Sequence, residues 1–392
     1  MTGPLDGIQV LELTTMITGP LAGMMLADLG ADVIKVENPK GGDPFRSFQG
    51  GLYSPHFTVT NRNKRSLTLN LRTEEGRDAA LKLAAQSDVL IENFRPGVMD
   101  RLGLGADKLT EANPRLIYCS ITGFGETGPY AHRPAYDAVA QSLGGMAYLF
   151  LDPKTPQITG PTIADNLTGV YACYGIQAAL LERERTGRVR RVDVNMLTSV
   201  MAFAPDSFSY LTQMDLVADH LRRVRTSQSY AFKCSDEKLI AIHLSSQPKF
   251  WDQLTEALGQ PALVDDPRFQ DRNQRIENYE DLTVALQAVV GQKPRDHWIE
   301  RFDACEVPFA PVNTVPEVFE DPQVRHLDTF FEAEHPQEGK VTGVRRPVWF
   351  DGSRNDQPLA PPPALGEHSD EILAELGYDE ETIVALRDAS IV

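Results

Sequence analysis

An α/β fold built on a parallel sheet is what this sequence predicts, and three observations carry it. Gly7–Leu13 is alternating and β-branched, Leu21–Leu29 reads as a helix with Pro20 at its first turn, and Ala31–Glu37 reads as a second strand. Strand, helix and strand within about 30 residues make a βαβ unit, which commits the chain to parallel pairing. The alternation then continues, with a helix over Thr73–Gln86 and buried strands over Ser87–Glu92 and Arg115–Ile121. With 392 residues and 43.4 kDa the chain is long enough for about two domains.

Further along, Asn166–Arg185 has Leu167, Val170, Tyr171, Tyr174, Ala178 and Leu181 on one face at helical spacing. Gly169, Ala172 and Gly175 sit close together on that helix and would let a neighbouring backbone approach. Asp193–Thr212 reads as a strand running into a helix, and Asp215–Ser229, with Arg222, Arg223 and Arg225, reads as a linker. A second α/β section follows: a hairpin of 231–234 and 239–243, then helices over Lys249–Leu258, Tyr279–Val290 and Arg295–Phe302. Pro361–Pro363 is expected to be an extended connection, after which Ser369 caps a last helix with Asp370 and Glu371 in its first turn.

Composition narrows the function. Hydrophobic residues at 42% and charged residues at 24% are the balance of a globular chain, not of a disordered or collagenous one. The net charge of −17 repels phosphate backbones and anionic bilayers, so neither nucleic acid nor a membrane is an expected partner. Cys119, Cys173, Cys234 and Cys305 are far apart and lack metal-ligand or disulfide-framework spacing, so they read as buried thiols of a reducing compartment. No basic-then-apolar leader opens the chain, and no apolar run reaches the roughly 18 residues of a membrane helix. A soluble, cytoplasmic protein without a metal is expected. The opening βαβ unit also admits an NAD-dependent oxidoreductase with Glu37 on a ribose. However, Gly19–Gly23 lacks the G-x-G-x-x-G spacing and Glu37 sits at a generic strand end, so a plain structural unit is preferred.

An ordered set of short motifs then carries a resemblance. Pro4–Leu13 with Gly19-Pro20, Leu29–Glu37 with Gly42-Asp43, Asn63–Ser66, Glu92–Gly97 and Asn113–Ile117 come first. Gly123–Gly125, Pro134–Asp137, Ala164-Asp165 and Gly366–His368 complete it. Together they resemble the class III CoA-transferases, the family of formyl-CoA transferase and carnitine CoA-transferase, over nearly the whole chain. The resemblance implies an interlocked homodimer of ring-like subunits. Each would have a Rossmann-like, CoA-binding large domain (1–212 and 330–392) and a smaller α/β domain (230–320), joined by long linkers (213–229 and, returning, 321–346).

By the same resemblance Asp165 is the catalytic nucleophile. Its setting agrees, since the loop Thr159–Asp165 would deliver a carboxylate to the start of the following helix, whose dipole would keep it ionised. An N-cap aspartate is the plainer alternative. Met16, Leu69, Asn93, Phe94, Arg101 and Met196 match CoA-side positions, although Arg101 alone reads as a surface charge and Met196 as core filler. Lys40 is assigned to the nucleotide phosphates, because the formyl-CoA members have arginine where this chain has Asn38. No cofactor is expected to be bound permanently, and CoA and acyl-CoA would be substrates.

The family also hosts 2-methylacyl-CoA racemases, which carry histidine where this chain has Tyr136. Proton exchange next to a thioester needs two groups that trade acid and base roles near neutrality, and tyrosine, with a reference pKa of about 10, does so poorly. The transferase is therefore preferred. Tyr136 then hydrogen-bonds a substrate carboxylate, or merely packs ahead of Asp137, and His132 would have to be redirected to serve a racemase. Ile17 replaces a glutamine of formyl-CoA transferase, and no glycine-run loop lies between Gln213 and Gln247, with His243–Pro248 at the nearest equivalent position. Succinyl-CoA or acetyl-CoA as donor and a small dicarboxylate as acceptor are the family-based expectation. A CoA-binding protein without catalysis is the remaining reading, and Asp165 argues against it.

Overall fold

Strands β1 (Gln9–Leu13), β2 (Asp32–Glu37), β3 (Lys64–Thr68), β4 (Val89–Glu92), β5 (Ile117–Thr122) and β6 (Val192–Asn195) pair in parallel in the order β3-β2-β1-β4-β5-β6. This is the doubly wound, Rossmann-like order, in which the connections leave β1 and β4 in opposite directions and open a crevice at the carboxyl ends of the strands. The computed structural model describes residues 3–245, 247–354 and 359–392. Two compact units divide the chain: Met1–Ala147 with Ile158–Pro205 and Thr329–Val392, and Tyr148–Gln157 with Asp206–Asp328.

In the first unit β1 to β5 are largely buried on both faces, as a parallel sheet between helices requires, while the edge strand β6 is partly exposed. Val10 of β1 packs with Leu26, Ile91 and Ile176 on one side, while its neighbour Leu11 packs with Ile34, Leu83 and Ile372 on the other. Helix α1 (Thr18–Ala27) and the long α4 (Ile163–Thr186) cover one face, and α2 (Glu74–Gln86) covers the opposite one. Between β5 and α4 runs the short α3 (Asp137–Leu143), and α5 (Met196–Phe203) follows β6 directly. The expected helix over Thr73–Gln86 is present, with Thr73 as its N-cap accepting the Gly76 N–H. Near its end the chain forms two helices, Ser369–Glu375 and Glu380–Asp388, so the helix expected to be last is followed by another. Ser369 is also not its cap: His368 holds the N-cap position and Ser369 is the first helical residue.

The second unit has an antiparallel three-stranded sheet, β7 (Ser229–Lys233), β8 (Leu239–His243) and β9 (Phe309–Pro311). The first two strands form the expected hairpin, with Ser229 opposite His243. Helices α6 (Pro248–Ala257), α7 (Arg272–Glu277), α8 (Tyr279–Val290) and α9 (Arg295–Ala304) pack on it around Phe232, Trp251, Phe269, Leu286 and Phe302. The segments expected as linkers are not featureless: Arg222–Ser227 is helical, and Phe330–His335 pairs antiparallel with Gly339–Val344. Ser246, within the loop His243–Pro248, lies outside the described residues. No helix among the described residues is long and apolar enough to cross a membrane.

The long helix differs most from its sequence reading. The apolar stripe at helical spacing is turned outward at Val170, Tyr174 and Leu181, which are 43%, 70% and 59% exposed. Its inward face is instead mostly small near its start, Ala164, Thr168, Gly169, Ala172 and Cys173, and adds Ile176 and Leu180 further along. The close approach expected at Gly169 is real, since a methyl group there would lie 2.8 Å from the Thr18 carbonyl oxygen and 3.1 Å from Leu21 Cβ. Gly169→Ala should therefore lower stability by about 1–3 kcal/mol, the range for overpacking a tight contact. Urea unfolding checks this, and an unchanged midpoint would show that α1 and α4 can separate at no cost.

Candidate active site

A buried ion network fixes the crevice from below. Glu12 on β1, Lys35 on β2 and Lys64 on β3 have fully buried side chains, with Lys35 Nζ 2.9 Å from Glu12 Oε1 and Lys64 Nζ 2.8 Å from Glu12 Oε2. Lys35 also donates to the Thr14 carbonyl at 2.8 Å and lies 3.1 Å from Asp43 Oδ2. Asp43 in turn accepts the Met16 N–H with both oxygens at 3.1 Å. Met16 has φ +68°, a left-handed conformation that costs a non-glycine residue about 1–3 kcal/mol and persists only when its surroundings impose it. Here the imposing group is a carboxylate that is itself pinned by a buried ammonium.

From the other side the loop after β4 grips the same turn. Asn93 Oδ1 accepts the Thr15 N–H at 3.0 Å, and Asn93 Nδ2 donates to the Thr15 carbonyl at 2.8 Å and to Thr18 Oγ1 at 3.0 Å. Phe94 follows, its N–H donated to Glu92 Oε2 at 2.8 Å. The result is a cleft of about 300 Å3 at the carboxyl ends of β1, β4 and β5, where an open α/β sheet binds ligands.

Met16, Asn93, Phe94, Tyr136, Asp165 and Met196 all line this cleft. Met196 is also core, packed with Ala140, Ala164 and Val200, so its two readings hold together. Leu69, Lys40 and Arg101 are not among the lining residues. Leu69 is buried in the core on the α2 side, and Lys40 and Arg101 are exposed. The cations that do line the cleft are Arg95 and Arg133, which the sequence reading did not single out, although Arg95 stands inside the motif Glu92–Gly97. His132 is exposed and is not a lining residue.

Asp165 is not the residue before its helix. Thr162 occupies the N-cap position, and Asp165 lies in the first turn of α4. The Asp165 N–H donates to Asp137 Oδ1 at 3.2 Å, while Gln141 Nε2 holds Asp137 Oδ2 at 2.5 Å. The ionised state expected from the helix dipole is also overruled. Burial, and then the charge of Asp137, push the Asp165 carboxyl up to about 7. Asp137 thus has two opposed effects: it fixes the backbone that carries Asp165 and resists ionisation of its side chain.

The sign of the pH dependence follows. An unfolded aspartate ionises near 3.9 and the folded Asp165 near 7, so the fold loses stability as pH rises between those values. Asp165→Asn should therefore match the wild type in stability near pH 4 and exceed it at pH 7, measured by urea unfolding at both. Asp137→Asn keeps an oxygen for the Asp165 N–H but removes the charge, and should move the acid limb of kcat/KM to lower pH. An unmoved limb would detach Asp137 from the ionisation of Asp165.

The dinucleotide alternative meets a direct obstacle. Glu37 is 4% exposed, takes Arg46 Nε and Nη2 at 2.7 Å each, and also accepts Ser66 Oγ–H at 2.7 Å and the Asp43 N–H at 3.0 Å. No acceptor capacity is left for a ribose.

The chain belongs to CoA-transferase family III, whose sequence model matches residues 5–369. Among its relatives, the human succinyl-CoA:glutarate CoA-transferase is 34% identical over 99% of this chain and 90% of its own length. The succinyl-CoA–L-malate CoA-transferase beta subunit of Chloroflexus aurantiacus is 35% identical over 100% of this chain and 98% of its own. A CAIB/BAIF family protein from Brucella suis has a crystal structure that superimposes with a TM-score of 0.84, at 36% identity, covering 96% of this chain and 100% of that one. The fold, the cleft and the motifs thus define a transferase of the CoA-transferase class, acting in acyl-CoA metabolism.

Proposed function

We propose that the protein moves CoA from succinyl-CoA or acetyl-CoA to a small dicarboxylate through an anhydride on Asp165. The observation that carries this reading is the meeting of Asp165, Tyr136, Asn93, Phe94, Met16 and Met196 on one crevice at the switch point of the sheet. The names of two relatives, which act with succinyl-CoA on glutarate and on L-malate, support the choice of donor and acceptor class.

A carboxylate oxygen of Asp165 attacks the donor thioester carbonyl, and CoA leaves as the thiolate. The acceptor carboxylate attacks the donor acyl carbon, which restores free Asp165 and leaves a donor–acceptor anhydride. The thiolate then attacks the acceptor carbonyl, giving the new thioester and the donor acid. Tyr136 is exposed enough, at 63%, to offer its hydroxyl to an acceptor carboxylate. Arg95 and Arg133 take the part first given to Lys40, supplying positive charge to CoA phosphates. A racemase would need a second base near neutrality in the cleft, and the lining residues offer none besides Asp165.

Asp165→Ala and Asp165→Asn should each abolish transfer between succinyl-CoA and a dicarboxylate panel while leaving CoA affinity within a few fold. Hydroxylamine added after donor alone should place a hydroxamate on Asp165 by mass spectrometry. Retained turnover in Asp165→Ala would end the covalent mechanism. Rapid deuterium uptake at the α-carbon of a 2-methylacyl-CoA, without CoA exchange, would instead favour the racemase.

A cytoplasmic, interlocked homodimer is part of the proposal, and the exposed Val170, Tyr174 and Leu181 of α4 support a partner surface. Interlocking means that dilution alone cannot separate the chains. Size exclusion at nanomolar concentration should still give twice 43.4 kDa, and a folded monomer at low concentration would exclude the ring arrangement.

A further inference from the structure

The second unit contains a buried arginine that forms no ion pair. Five arginines are buried among the described residues: Arg46, Arg62, Arg183, Arg275 and Arg295. Four of them meet a carboxylate, respectively Glu37, Asp28, Asp88 and, for Arg295, Glu317. Arg275 is the exception. At 5% exposure it donates only to uncharged oxygens, Gln228 Oε1 at 2.7 Å and the Phe269 carbonyl at 2.9 Å, with its guanidinium 4.8 Å from the centre of the Trp251 ring. Burial draws its pKa below the ordinary guanidinium range. A buried charge without a partner is costly, and such charges are otherwise paired.

The surroundings share the same imbalance. Arg275 lines a cavity of about 240 Å3 together with Arg272, Trp251, Gln228 and the start of α6 at Gln247 and Pro248. Arg272 also reaches only a carbonyl, that of Thr226 at 2.5 Å, and its buried Nε has no acceptor. The buried Trp251 Nε1, also on the cavity wall, lacks a partner as well. These groups are donors, so what is missing is an acceptor. Two carboxylates line the cavity, but the Asp271 Oδ1 caps α7 through the Gln274 N–H at 2.9 Å and Asp252 is exposed; neither forms an ion pair with Arg272 or Arg275. The ten-residue helix α6 adds the positive end of its dipole, with no side-chain cap at Gln247.

We infer that this cavity is a binding site for a small oxyanion, a carboxylate or inorganic phosphate, held by Arg275 and Arg272. It is built wholly from the second unit, whereas Asp165 belongs to the first. A planar guanidinium matches a carboxylate or a phosphate edge with two parallel donors, which an ammonium cannot.

The full chain has three tryptophans, so 5-fluorotryptophan labelling gives a small set of 19F resonances, and Trp251→Phe identifies the one from the cavity. Succinate in one arm and inorganic phosphate in the other are titrated against sodium chloride of equal ionic strength. The Trp251 resonance should shift saturably in at least one arm, and the arm that responds identifies the anion. Arg272→Gln, at a half-exposed position, should weaken the midpoint about tenfold, as loss of a charge-assisted hydrogen bond predicts. Arg272→Lys should fall between the two. A Trp251 resonance that follows chloride alone in both arms overturns the inference in the unmodified protein, without reference to any variant. An unchanged titration in Arg272→Gln overturns it too.

Discussion

Everything at the crevice depends on one buried ammonium. Lys35 is surrounded by Glu12, Asp43 and the Thr14 carbonyl, and through them it sets the conformation of the turn that forms the cleft floor. Burying such ions gains little stability by itself, because desolvation consumes most of the Coulomb attraction; the contribution is geometric. Asp43 can hold the Met16 amide in a left-handed conformation only because Lys35 fixes its carboxylate. The pull is shared unevenly. Lys64, buried beside the same Glu12 and next to Lys35, has its pKa drawn down to about 8, burial being the largest cause. Glu12 remains below its ordinary range because two ammonium groups outweigh the burial that would raise it. Removing either lysine would leave a buried carboxylate short of charge directly beneath the site.

The same network explains why a Rossmann-like sheet here does not read a dinucleotide. In that use of the fold an acid at the end of the second strand faces a ribose. Glu37 occupies that strand end but turns inward, where Arg46 grips it with two donors and itself donates to the Pro363 carbonyl at 3.1 Å. The acid therefore ties the end of β2 to the segment before the C-terminal helices. Fold and function part at this residue: the crevice is retained, but the group that would select NAD has become structural.

The sheet was legible because buried parallel strands are short, nearly continuous apolar runs, and 9–13, 32–37, 89–92 and 117–122 are of that kind. Strand β3 was not, because Lys64-Arg-Ser-Leu-Thr68 contains no apolar run. Its polar side chains are buried against partners distant in sequence, Lys64 on Glu12 and Ser66 on Glu37, and periodicity has no access to such pairs. The inward face of α4 was hidden for a related reason: apart from Ile176 and Leu180 its apolar contacts come from Ala, Gly, Thr and Cys, while Val170, Tyr174 and Leu181 lie outside. Of the site, the residues in motifs next to strand ends came together, since the switch point gathers strand ends. Leu69 ends in the core on the α2 side, and Lys40 and Arg101 lie outside the cleft lining, because matching a motif position says nothing about which way the side chain turns.

Asp165 shows why its position on the helix alone could not fix its charge. A carboxylate in the first turn of a long helix gains from the dipole, an effect of about 0.3–1 kcal/mol at an exposed site. One pKa unit corresponds to about 1.4 kcal/mol, so even the roughly 2 kcal/mol that a dipole reaches at a partly buried site amounts to about 1.5 units. Burial in the cleft wall and the neighbouring Asp137 act in the other direction and prevail, which puts the group near 7. That outcome suits the nucleophilic role proposed for Asp165. A carboxylate with an ordinary pKa is fully ionised at neutral pH but weakly basic, whereas one held near 7 is stronger and still half present as the anion. In the proposed anhydride route the same basicity makes Asp165 a poorer leaving group, so a pKa near 7 favours the first step at the expense of the second.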